Sequence, residues 1–280
     1  MVVLKSILIY SGALTKFSKK KEERNMQLFF REFGQGKPLI VLHGLFGMSD
    51  NWLTVGKKLG EHYHLFLLDL RNHGQSPHSD EFNYTVMAED VEEFIQTQGV
   101  ERPVVLGHSL GGKVGMELAL NFETPVERLI VVDIAPRAYH HSHFKYFLET
   151  LLSLNLSQMK TRIEIDQWLS KKIPQPAIRQ FLLKNLKRNE QNRFEWKINL
   201  KAVYQNLEHI LGPVTSNNSF DEPVLFLRGE KSDYITEEDV STIKRLFPLA
   251  RVHTIKGATH WVHADAPQEL IKEVREFLSA

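Results

Sequence analysis

An α/β fold, a mainly parallel sheet with an inserted helical cap, is predicted by three features of the 280-residue sequence. Short apolar runs alternate with amphipathic stretches along most of the chain, which is the βαβα rhythm of a parallel sheet carrying helices on both faces. Several of those runs are apolar at consecutive positions, as strands covered on both faces require. Between Arg137 and Asn218 the rhythm breaks for about 80 residues, too long for a structureless connection in a compact domain.

The elements follow in chain order. Residues 1–25, "MVVLKSILIYSGAL" and then a basic stretch, fit neither strand nor helix of the core and read as an N-terminal extension. Residues 27–34 read as a leading strand or hairpin arm. The strand runs are then "PLIVLH", "YHLFLLDL", "PVVLGH", "RLIVVDIA", "PVLFLRG" and "ARVHTIKG". Helices are predicted over Asp50–Leu59, Thr85–Gln98, Leu110–Asn121, Glu237–Phe247 and Pro267–Leu278. Residues 137–218 carry helical patterns such as "FKYFLETLLSL" and "AIRQFLLKNL" and no convincing strand, so they read as a helical cap. Residues 26–136 and 219–280 form the core around it.

Composition narrows the function. With 35 basic against 34 acidic residues the net charge is +1, which sets up no overall field for nucleic acid or an anionic membrane. No apolar run reaches the roughly 18 residues of a membrane span. Cysteine is absent, which removes disulfides and thiol-ligated metals and fits a reducing, cytoplasmic setting. A small-molecule partner is the expectation, and catalysis needs a nucleophile other than a thiolate.

"VVLGHSLGGKV" supplies one. A strand-like run ends at Gly107, a helix begins at Leu110, and Ser109 sits in the turn between two glycines, where a sharp elbow lifts the hydroxyl clear of the sheet. A serine hydroxyl attacks only when a base takes its proton and when two donors meet the oxyanion that forms. The N–H of Leu110, just after the nucleophile, is one donor. The second is expected from "LIVLHGLFG", where His43 and Gly44 turn the chain and expose the N–H of Leu45. Phe46 would then line the acyl site. "DLRNHGQS" reads as support, with Asp69, Arg71 and His73 holding neighbouring loops.

The base is expected after the nucleophile, in the loop between the last strand and the last helix, which points to His260. His263 reads as a surface or capping residue, and His253 lies inside a strand. Two carboxylates compete to orient His260: Asp233, after the penultimate strand, and Asp133, after the strand that follows the nucleophile helix. The spacing favours Asp233, with Asp133 then shaping the pocket floor. "HHSH" at His140–His143 lacks carboxylate or cysteine companions at ligand spacing, so no metal site is expected there.

Taken together, "HGLFGMSDNW", "DLRNHGQSP", "GHSLGGKV", "VVDIAPRAY" and His260 resemble the α/β-hydrolase superfamily over residues 27–280, and in detail the small bacterial YbfF-type esterases. The resemblance implies an eight-strand-type sheet with the helical cap inserted after the strand ending at Asp133, hydrolysis of acyl esters or thioesters without a cofactor, and a residue of importance at Asp133. Phe46 and Trp261 match pocket-lining positions of that family, and His108, inside the elbow, is placed with them as a substrate contact. The expected activity is cleavage of small to medium acyl groups through an acyl-serine. A lyase or C–C bond hydrolase using the same residues is the alternative; a binding scaffold would not need the whole constellation, and a dehalogenase would need a carboxylate at position 109.

Overall fold

A computed structural model describes residues 26–140 and 142–280, so the N-terminal extension expected over 1–25 lies outside the described residues. Strand β1 (Phe30–Phe33) is followed by β2 (Pro38–Leu42), a 3-10 turn at Ser49–Trp52, α1 (Leu53–Leu59), β3 (His64–Leu68), α2 (Tyr84–Thr97), β4 (Val104–His108), α3 (Leu110–Asn121) and β5 (Arg128–Val132). An insertion then carries α4 (Ser142–Ser153), α5 (Arg162–Ser170), α6 (Pro176–Leu183), β6 (Leu186–Arg188), β7 (Phe194–Trp196), α7 (Leu200–Gln205) and α8 (Leu207–Leu211). The sheet resumes with β8 (Val224–Gly229), α9 (Asp239–Leu246), β9 (Ala250–Ile255), α10 (Val262–Asp265) and α11 (Pro267–Ser279).

The apolar runs form strands because both faces of the sheet are covered. On β2, Ile40 and Leu42 enter one core cluster while Leu39 and Val41 enter the other; Val105 opposes Val104 and Leu106 on β4 in the same way. The first cluster packs under α2, α3 and the insertion, the second under α1 and α11. Alternating side chains on a pleated strand give each face its own core, so a strand buried on both faces reads as a continuous apolar run.

The strand order is β1-β3-β2-β4-β5-β8-β9, parallel throughout except for β1, which pairs antiparallel with β3. The chain runs from β2 outward to β3, returns to β4, and then runs the other way. That reversal is a topological switch point between β2 and β4, where the loops at the carboxyl ends part and leave a crevice. Their carboxyl ends are followed by the His43 loop and by Ser109.

Two sequence expectations need correction. The sheet has seven strands among the described residues, not eight: the segment at 27–34 supplies the single strand β1, and Gly34 and Gly36, at φ of 71° and 107°, turn the chain directly into β2. The insertion is not purely helical either. β6 and β7 pair as an antiparallel hairpin, Leu186 opposite Trp196, across a turn in which Asn192 takes a φ of 58°. Asparagine tolerates that left-handed conformation, and the exposed Lys187 and Arg188 hid the strand by breaking the apolar run.

Candidate active site

Ser109 caps the start of α3 with φ 52° and ψ −116°, outside the regions L-residues favour, at a cost of roughly 1–3 kcal/mol. Packing enforces it. The Ser109 N–H donates to the Val132 carbonyl at 3.0 Å and the Gly111 N–H to the His43 carbonyl at 3.1 Å, pinning the elbow between the ends of β5 and β2. A Cβ on Gly107 would lie 2.2 Å from the Gly111 oxygen, and one on Gly111 2.4 Å from the Leu42 oxygen. Only glycine allows the turn to close this tightly. The hydroxyl makes no capping bond to its helix, and the residue is 8% exposed.

The loop after β2 is held by its own amides. The N–H of Phe46 donates to His73 Nε2 at 3.3 Å, that of Gly47 to the Gly44 carbonyl at 2.9 Å, that of Met48 to Asn51 Oδ1 at 2.8 Å and that of Ser49 to Asp69 Oδ1 at 2.6 Å. The amides of Phe46 to Ser49 are thus engaged within the protein, while Leu45 lines the same cavity as Ser109. From the insertion, Asn185 Nδ2 donates to the Phe46 carbonyl at 2.8 Å and fixes the loop from the other side.

His260 lies in the loop between β9 and α10. Its Nδ1 is 2.8 Å from Asp133 Oδ2, and its ring stacks on Tyr234, centroids 3.8 Å apart and 19° between planes. Asp133 is completely buried, directly after β5, at a φ of 53°. Its Oδ1 accepts from the Gly229 N–H at 2.8 Å and its Oδ2 also accepts from the Ser232 hydroxyl. Three donors around one buried carboxylate fix its direction. Asp233, favoured from spacing, does not take this place: its carboxylate is exposed at the cavity rim and its carbonyl accepts from Arg137 at 3.1 Å. The reason is geometric. β5 and β8 are adjacent, so the residue that follows β5 lies under the β8 loop and in reach of the β9 loop, while Asp233 has already turned outward.

Ser109, His260, Leu45, Phe46, His108 and Trp261 all border one cavity of about 520 Å³; Leu110 borders a smaller one behind the elbow. The large cavity is mainly apolar, with Phe144 and Phe147 from α4 and Ile178, Phe181 and Leu182 from α6 forming its far wall. Trp261 packs beside Phe181 at 5.7 Å. His108 braces the site, its Nε2 2.9 Å from the His260 carbonyl. His263, expected at the surface, instead stacks on Trp52 at 4.6 Å and 16° and lines the cavity; a contact across 211 positions leaves no local signal. Ser232, Tyr234 and Asn185 also escaped the sequence, since nothing in their spacing distinguishes them from loop or helix-end polar residues.

Lys113, one turn along α3 from Ser109, is 1% exposed and donates to the carbonyls of Arg137 and Gly212, so one ammonium ties both ends of the insertion to the elbow helix. Burial pushes its pKa down to about 7. For a metal, His253, Glu269 and Glu273 stand at ligand spacing among the described residues, but they lie outside the cavity and Lys272 pairs with both carboxylates at 3.2 and 3.4 Å. His143 of the "HHSH" stretch borders the cavity and packs on Phe144; His141 lies outside the described residues.

His43 and His73 hold the loop as neutral imidazoles. In each, Nδ1 faces a carbonyl (Gly44 at 2.9 Å, Arg71 at 3.0 Å) and Nε2 accepts an amide (Leu70 at 3.0 Å, Phe46 at 3.3 Å). Burial lowers their pKa values to about 4 and about 3, and that of His263 to about 4. A neutral folded form set against an unfolded form that binds a proton below about 6.5 makes this stability complete above pH 6.5 and lost as pH falls towards 4. Each histidine contributes about 1.4 kcal/mol per pH unit in that window. The urea midpoint is expected to fall steeply from pH 6.5 to pH 4.5; a flat profile would show that these imidazoles are not held neutral.

Against known proteins, a family model described as the alpha/beta hydrolase fold matches residues 37–267. Among curated proteins, the chain is 37% identical to an sn-1-specific diacylglycerol lipase ABHD11 of Danio rerio, covering 88% of this chain and 79% of that one. It is 31% identical to Esterase YbfF of Escherichia coli, covering 86% and 93%. Among solved structures, a marine microorganism esterase superposes with a TM-score of 0.88 at 42% identity, over 90% of this chain and 99% of that one.

Proposed function

The chain belongs to the α/β-hydrolase fold family, whose members similar to it are named esterases and lipases, and we propose that it is a serine hydrolase cleaving carboxylic esters or thioesters of small to medium acyl groups. The observation that carries the reading is the 2.8 Å contact between His260 Nδ1 and the buried Asp133 carboxylate, beside a cavity that Ser109 lines from a strained elbow. The insertion acts as the cap over that cavity.

In this mechanism Ser109 Oγ attacks the acyl carbon and its proton passes to His260 Nε2. Asp133 keeps the Nδ1 proton in place and stabilises the imidazolium. The carbonyl electrons move onto oxygen, and the Leu45 and Leu110 N–H groups donate hydrogen bonds to the resulting oxyanion; each such donor lowers the barrier by about 3 kcal/mol. Collapse breaks the bond to the leaving oxygen or sulfur, which takes the proton from His260. Water then repeats the cycle on the acyl-serine and releases the acid. No step needs a cofactor or a metal.

The direct test is active-site labelling with a fluorophosphonate, followed by turnover of p-nitrophenyl esters of increasing acyl length. Phe46, Phe147 and Phe181 offer an apolar wall, and burial of a methylene there is worth about 0.8 kcal/mol, so kcat/KM is expected to rise about fourfold per methylene from acetate until the cavity is filled. Absence of both labelling and ester turnover would refute the hydrolase reading. Specificity that falls from acetate onward would refute the apolar acyl site alone.

Ser232 is a positioning residue in this scheme. A hydrogen bond to a charged group contributes about 1.5–3 kcal/mol, so Ser232→Ala is expected to lower kcat roughly tenfold or more with KM little changed. Steady-state kinetics decide it: an unaltered kcat removes Ser232 from the mechanism.

A further inference from the structure

Near-zero net charge conceals a division within the chain. Residues 137–218 hold 13 Lys and Arg against 6 Asp and Glu, while the remainder holds 22 against 28. The cap is a cation set on an anionic core. Its acids are largely engaged: Asp166 pairs with Arg179 at 2.8 Å, Glu195 with Lys187 at 2.9 Å, the Glu164 carboxylate accepts from the Lys160 N–H at 2.8 Å, and Glu149 accepts from Tyr204.

Exposed apolar side chains gather on the same unit. Among the described residues the large hydrophobics left in solvent are Tyr146, Leu152, Ile163 and Leu249, and the first three belong to α4 and α5. They are interleaved with exposed cations. Lys145 adjoins Tyr146, whose hydroxyl donates to the Lys172 carbonyl at 2.8 Å, bringing Lys171 and Lys172 alongside. Arg162 adjoins Ile163, and Arg188 donates to the Lys160 carbonyl at 2.9 Å, bringing those two cations to the start of α5. Arg162 stands in the first turn of α5, where the helix dipole disfavours a cation, so local helix stability does not account for it.

From this juxtaposition we propose that the outer surface of α4 and α5 docks on an anionic lipid bilayer. Basic side chains attract anionic headgroups, and interleaved apolar and aromatic side chains bury at the headgroup–acyl boundary. An acidic protein surface would meet the cations but has no use for Ile163, which is 69% exposed. The placement also has a purpose under the hydrolase reading, on which that purpose rests. α4 presents Phe144 and Phe147 to the cavity, and α5 packs on α6, which presents Ile178 and Phe181. The helices that would meet the lipid therefore also wall the acyl site.

Binding needs no turnover, so it is measured with the full-length Ser109→Ala protein by co-sedimentation with vesicles. The vesicles are phosphatidylcholine containing 30% phosphatidylglycerol (about that fraction suffices for a negative surface potential) or phosphatidylcholine alone. The expected result is partition onto the anionic vesicles at least tenfold stronger than onto neutral ones, weakened by high salt. Lys171→Glu with Lys172→Glu should reduce it at least tenfold, and Ile163→Ser with Tyr146→Ser severalfold, with unchanged thermal melting. The lysine run at 19–21 is present in every variant, so its contribution cancels. Absent binding, equal binding to both vesicle types, or variants that bind like the parent overturn the proposal, as does retention by an acidic protein without vesicle binding. Vesicle binding by a protein that hydrolyses no ester leaves the docking surface standing and defeats the hydrolase reading alone.

Discussion

Replacing Ser109 by alanine is expected to abolish fluorophosphonate labelling and to lower kcat for a p-nitrophenyl ester by about 10⁶, the scale on which loss of a serine nucleophile disables a triad. The loss should fall on kcat with KM little altered, because the apolar wall of the cavity, proposed above as the acyl site, is untouched. The fold should survive. The variant keeps the Ser109 amide bond to Val132 and removes only a hydroxyl that makes no capping bond, although alanine tolerates a φ of 52° no better than serine. Thermal melting within a few degrees of the parent, combined with lost labelling, is the predicted pair. Full labelling of the variant would place the nucleophile elsewhere.

Asp133→Asn carries the second largest effect, about 10⁴ in kcat, against a change of a few-fold at most for Asp233→Asn. The amide is isosteric, so the cavity keeps its shape. Its NH₂ cannot accept from His260 Nδ1 as the carboxylate does, and the imidazole turns to the tautomer that cannot take the Ser109 proton. Gly229 N–H and the Ser232 hydroxyl also lose part of their acceptor. Some stability should be lost with it, which is why activity is compared with the melting temperature for both variants. Asp233 has an exposed carboxylate and no such network, so equal effects at the two positions would mean that the charge near His260 matters and its direction does not.

Much of the architecture was legible before any coordinates. Strand runs such as "PLIVLH" and "RLIVVDIA" lie within a residue or so of β2 and β5 at their starts, because burial on both faces imposes an unbroken apolar composition that few other contexts tolerate. The elbow around Ser109 was legible for a related reason. Gly107, Ser109 and Gly111 lie within five positions, and the close approach that demands glycine is made inside that span and to the neighbouring strand end. The β6–β7 hairpin was not, since two three-residue strands carrying exposed charge present neither a period nor an apolar run.

What the sequence by itself determined is the set of local devices: strands, helices, the elbow, the two oxyanion-donor candidates and the histidine that follows the last strand. Each depends on residues a few positions apart, so covalent spacing and steric allowance specify it. Only the tertiary structure decided which carboxylate meets His260. Asp233 is 27 positions away along the chain and Asp133 is 127, but the order β5-β8-β9 sets the end of β5 beneath the loops of its neighbours and turns Asp233 toward solvent. His263 on Trp52, Asn185 on the Phe46 carbonyl and Lys113 across both ends of the insertion are of the same kind. Such contacts join segments brought together only when the sheet closes and its two cores form, and chain distance carries no information about them.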